Sequence, residues 1–114
     1  MLNTTKPTKE YMEKLGYTVV DVEAKGRGYI KQDVLGFIDL IAMREHTIGV
    51  QATSIGNMAA RRRKILNSPH IRHWLGAGNQ VWLFGWEEKF GKLMHSLQKI
   101  SLQDVALFQA HKEP

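Results

Sequence analysis

The sequence predicts an α/β domain with an αβββαβ core on a mixed sheet, an antiparallel meander plus one parallel strand. Three observations carry that expectation. Strand-like segments follow one another between residues 17 and 53 with no helical pattern between them. A helical stretch then separates the third from a fourth, and such a crossover allows the fourth to add in parallel. Finally, 114 residues with 43% hydrophobic content suffice for one core and not for two.

The elements follow in order. Pro7 suits a first helical turn, Tyr11, Met12 and Leu15 give a short apolar face, and Gly16 can end the helix. Tyr17 to Glu23 alternates and is rich in β-branched residues, so it reads as a strand. The stretch AKGRGYIKQD reads as a loop. Phe37 to Met43 is nearly continuous apolar, a central strand with one charge, Asp39, inside it. After the turn Arg44-Glu45-His46, Thr47 to Thr53 forms a third strand.

Asn57 to Asn67 then has helical composition. Ser68-Pro69 reads as the cap and first turn of a second short helix, ended by Gly76 and Gly78. Asn79 to Trp86 is a fourth strand, EEKFG a turn and KLMHSL an edge strand. Ser101 with Asp104 resembles a capping box opening a last helix. The chain is therefore expected to be one domain over 1–114, with its core at about 8–86 and an appended strand and helix at about 87–112.

Charge narrows the partner class. The net charge is +5, and no acidic residue lies between Glu45 and Glu87. That window holds Arg61, Arg62, Arg63, Lys64 and Arg72, a local basic field of the kind that attracts polyanions. A nucleic acid is the expected partner, DNA first and RNA as the alternative; a solvated basic helix is the plainer reading. With no cysteine, there is no disulfide and no thiolate metal site. No apolar run approaches a membrane span or a signal sequence, so the expected location is the cytoplasm.

Register suggests where the chemistry sits. A three-residue loop at 44–46 places Met43 opposite Thr47 and therefore Asp39 opposite Gln51, their Cβ atoms about 5 Å apart. Thr53 shares that face because strand side chains alternate. A two-residue loop would instead bury the carboxylate against Val50, which is costlier. An aspartate in an apolar strand needs a partner, and a metal ion, an arginine, backbone donors or an exposed strand end would each serve.

On the following helix, Met58, Ala59, Ile65 and Leu66 form one face with Arg62 at its middle, where snorkelling past the apolar surface is the expected fate. Arg61 borders that face. His70 and His73 lie one turn apart but lack a third metal ligand, and read as surface residues. Trp82 reads as core and Trp86 as exposed at a strand end.

This helix, three-strand, helix, strand order, with an aspartate on the second strand and a polar-x-polar triplet on the third, resembles the PD-(D/E)XK nuclease superfamily. Within it, KQDVLGFIDLIAM through GVQATSIGNMAARRRKI resembles short phage and prophage proteins with Holliday junction resolvase-like folds. The resemblance covers roughly residues 8–86. It implies a three-layer, restriction-endonuclease-like fold and an endonuclease that hydrolyses DNA phosphodiesters, branched DNA included, with magnesium or manganese. It also implies a homodimer.

By position, Asp39 would be the metal-binding aspartate, Gln51 stands where the second acid belongs and Thr53 where the lysine belongs. A glutamine amide oxygen can ligate a hard cation but adds no charge, and threonine supplies no cation. Asp33, through a bend at Gly36, is then a candidate third metal ligand, and Arg61 or Arg62 a candidate replacement cation. The same departures fit the alternative, a catalytically degenerate nuclease fold that binds nucleic acid or protein.

Overall fold

In the computed structural model, residues 2–22 and 34–112 are described. They form a mixed five-stranded sheet in the order β1-β2-β3-β4-β5 with four α-helices. Helix α1 (Thr5–Lys14) precedes β1 (Thr18–Asp21), β2 (Leu40–Met43) and β3 (Thr47–Ser54). A single 3-10 turn, Ile55–Asn57, leads into α2 (Met58–Leu66), followed by α3 (Ile71–Gly76). Strands β4 (Gln80–Lys89) and β5 (Lys92–Ile100) form a long hairpin, and α4 (Leu102–Lys112) follows it. The first three strands are an antiparallel meander and β4 joins β3 in parallel, as the crossover allows.

The sheet carries a core on each face. On one, Met12 of α1 packs with Val19, Leu40, Val50 and Phe84. On the other, Met58, Ile65 and Leu66 of α2, Ile71 of α3 and Val105 of α4 pack with Val81 and Leu83. Each fully buried side chain of this size contributes roughly 1.5–3 kcal/mol. Gly85 lets α2 come this close: a Cβ there would collide with the Met58 side chain and lie 3.2 Å from the Ile55 Cα.

Several boundaries differ from the sequence reading. The strand expected over residues 37–43 begins only at Leu40. Val34 and Ile38 exchange backbone hydrogen bonds of 3.0 and 2.9 Å around a tight turn in which Leu35 and Gly36 both have positive φ, and this turn takes Phe37 out of the sheet. Asp39 therefore stands one residue before β2. The expected turn EEKFG shrinks to Phe90-Gly91, because residues 87–89 pair with 92–94. Helix α3 starts after Pro69: Ser68 Oγ accepts the His70 N–H in a local turn, so His70 takes the cap position.

Trp86 is buried, with its indole N–H donating to Thr8 Oγ1 at 2.7 Å, and Ala59 is exposed. The loop expected over residues 24–33, including Asp33, lies outside the described residues.

The capping box forms as expected. Asp104 Oδ2 accepts the Ser101 N–H at 2.8 Å and the Ser101 hydroxyl at 2.9 Å, while the Asp104 N–H donates to Ser101 Oγ. The Ser101 N–H, helped by its hydroxyl and by Arg62, holds the Asp104 carboxyl below its ordinary value. A lowered folded-state value stabilises the fold above the ordinary carboxylate range and is lost as pH falls through that lowered value. Asp104→Ala is thus expected to cost about 1 kcal/mol at neutral pH and much less in acid. Urea unfolding at the two pH values checks this; an equal loss at both would exclude the ionised cap.

Candidate functional site

The meander brings one end of every inner element together. Because β1 and β3 run the same way and β2 runs against them, the carboxyl ends of β1 and β3 meet the amino end of β2. The parallel pairing of β3 with β4 also ends there. The Trp86–Thr8 hydrogen bond fixes the first turns of α1 at the same end.

Asp39 sits at this junction, 4% exposed. Its backbone bridges both neighbours: its N–H donates to the Val50 carbonyl at 2.9 Å, and its carbonyl accepts the Val22 N–H at 3.1 Å. The ladder between β2 and β3 ends at Leu40 and Val50, so the next register step brings Asp39 beside Gln51. There Asp39 Oδ2 accepts the Gln51 amide N–H and the Ala52 backbone N–H, each at 3.0 Å. The carboxylate takes over where the backbone ladder stops, which satisfies a buried donor. Gln51 and Thr53 are buried too, at 1% and 5% exposure.

A cavity of about 960 Å³ opens at this sheet end. Asp39, Thr53 and Arg61 line it together, along with Asp21 at the end of β1, Asn57 before α2 and Lys6 and Lys9 from α1. Two acidic and three basic residues thus contribute to the lining of one cavity. Gln51 is not part of its lining; it reaches the site through Asp39. Asn57 occupies the α2 cap position without a side-chain capping bond, so it serves the cavity wall instead.

Sequence reasoning missed Asp21, Lys6 and Lys9. Asp21 had a signal, since it closes an apolar strand much as Asp39 opens one. The lysines had none, because only the packing of α1 directs them here. Glu10 and Glu13, the acids of that helix, do not line the cavity.

The basic window divides into separate roles. Arg61 faces the cavity, and Arg63 and Lys64 are exposed. Arg62 does not snorkel: its guanidinium lies 3.3 Å from Gln98 Oε1 and 3.4 Å from Asp104 Oδ1, because α4 packs across α2 and offers a carboxylate. Arg72 donates to Gln109 Oε1 at 3.0 and 2.6 Å and so braces α3 against α4.

His70 and His73 are exposed, and among the described residues no three His, Cys, Asp or Glu side chains gather as a metal cluster. Among the same residues no helix is long and apolar enough to cross a membrane. Comparison with known protein families, curated proteins and solved structures gives no match.

Proposed function

We propose that this protein binds DNA by seating a backbone phosphate in the cavity and hydrolyses it with magnesium, as a rearranged member of the PD-(D/E)XK superfamily. The observation that carries the reading is the cavity wall itself, whose lining includes Asp21, Asp39, Lys6, Lys9 and Arg61. The αβββαβ order, the antiparallel meander and the single parallel pair support the restriction-endonuclease-like fold.

Each departure noted in the sequence has a candidate substitute here. Asp21 would supply the second carboxylate that Gln51 does not, and Lys6, Lys9 and Arg61 the cations that Thr53 cannot. Magnesium is commonly held by one or two carboxylates together with water and substrate phosphate, so Asp39, with Asp21 at the adjoining strand end, would be its protein ligands. When bound there, the ion would activate water and stabilise charge on the phosphate. Arg61 and the two lysines would orient the phosphodiester and offset the charge it gains. Gln51 fixes the Asp39 carboxylate through its amide N–H, a positioning role.

A second reading rests on the same hydrogen bonds. The Gln51 and Ala52 donors give Asp39 a purely structural task, which suits a fold that binds DNA without cutting it.

Phosphate seating is tested by salt dependence. Removing a phosphate contact lowers the slope of log affinity against log salt by about 0.9 for duplex DNA. The double variant Lys9→Ala with Arg61→Ala is expected to weaken binding and flatten the slope by up to twice that amount. Anisotropy titrations from low to moderate salt measure it, and an unchanged slope would remove the cavity from the interface.

A further inference from the structure

The tip of the β4–β5 hairpin departs from what local stability favours. Phe90 and Gly91 form the two-residue turn, and both have positive φ, at 53° and 74°. Turns of this kind favour Asn or Gly at the first position. A phenylalanine held there is strained, because a left-handed backbone crowds its Cβ. Its ring gains nothing from packing, since Phe90 is 101% exposed. Lys89 and Lys92 face each other across the last rung of the ladder, and directly opposed like charges are destabilising. The Glu87 carboxylate reaches Lys89 only at 3.9 Å, on an exposed surface where such a pair contributes little.

An external ligand would resolve both features. An anion between Lys89 and Lys92 removes their repulsion, and a flat apolar partner covers the ring. A nucleotide offers both groups at once, a phosphate and a base. Position favours the same ligand. The pairing of β3 with β4 ends at Ser54 and Trp86, and β4 continues three residues further, so the tip projects about 10 Å past the cavity end of the sheet.

We infer that this hairpin is a nucleic-acid-contacting finger, with Phe90 stacking on an unpaired base and Lys89 and Lys92 holding its phosphate. The inference rests on the nucleic-acid reading of the cavity and adds that the DNA carries a single-stranded stretch beside the bound duplex.

The test compares binding of a labelled oligothymidylate and a blunt duplex to the whole protein and its variants. Phe90→Ala is expected to weaken oligothymidylate binding about tenfold, since stacking dominates such contacts, while duplex binding changes less than about twofold. Phe90→Trp should retain affinity, and its added indole should be quenched by oligothymidylate beyond any quenching seen in the wild type. Phe90→Asn should bind as poorly as Phe90→Ala yet melt at or above the wild-type temperature, which separates loss of contact from loss of fold.

Wild-type binding to oligothymidylate with no loss in Phe90→Ala would overturn the finger and leave the cavity reading intact. A wild type that binds neither DNA at low salt would overturn both. A Phe90→Ala variant that loses only self-association in sedimentation would reassign the tip to a second copy of the chain and overturn the inference.

Discussion

Replacing Asp39 with asparagine is expected to abolish magnesium-dependent cleavage while leaving DNA binding within a few-fold of wild type. The two effects separate on the proposed reading, in which Lys6, Lys9 and Arg61 would attract the DNA, whereas Asp39 is the carboxylate held by two hydrogen bonds at the site. Loss of an outer-shell partner alone typically costs about 10–100-fold in activity, so loss of the ligand should exceed that. Asparagine keeps a carbonyl oxygen to accept the Ala52 N–H, so the fold should survive. Asp21→Asn should behave in the same way if both carboxylates serve one ion. A cleavage assay on linear, nicked and four-way DNA, with unfolding as control, reads both variants. Unimpaired cutting by Asp39→Asn would remove it from the chemistry.

The second large effect is expected at Gln51. Its amide N–H donates to Asp39 Oδ2 in a nearly solvent-free setting. Gln51→Glu removes that donor and sets two carboxylates against each other, which disfavours ionising both. Holding a proton on one of them at neutral pH costs about 1.4 kcal/mol for each unit by which its pKa must rise, so the variant should be clearly less stable than wild type in the presence of a chelator. Magnesium should restore much of the loss, because an ion that binds only the folded state stabilises it by mass action. Adding Thr53→Lys reproduces the PD-(D/E)XK pattern at both positions and, on the proposed reading, should raise cleavage above wild type. Urea unfolding with chelator and with magnesium measures the linkage. A loss that magnesium does not repair would place no cation beside Asp39.

Much of the site was legible because strand alternation and loop length are local properties. The three-residue turn after Met43 set the register, and that register brought Asp39 to Gln51. The Ser101–Asp104 cap was likewise readable from spacing alone. What escaped depended on contacts distant in sequence. Phe37 and Ile38 have strand composition, yet the turn at Leu35 and Gly36 removes them from the sheet. Trp86 looks like an exposed strand end until Thr8, far away in the chain, accepts its indole proton. Arg62 was assigned to solvent because nothing in α2 reveals that α4 will bring Asp104 across it. Lys6 and Lys9 enter the site only through the docking of α1, a tertiary event with no signature in their spacing.

These outcomes follow from one claim, that the cavity at the sheet end holds a divalent ion and a phosphodiester together. Anomalous scattering from crystals grown with manganese and a short oligonucleotide tests it most directly. The account predicts a manganese peak within ligand distance of the Asp39 and Asp21 carboxylates, with a backbone phosphate beside it in reach of Arg61. Manganese absent from the cavity, with the oligonucleotide lying along Arg63 and Lys64 on the outer side of α2, would contradict it.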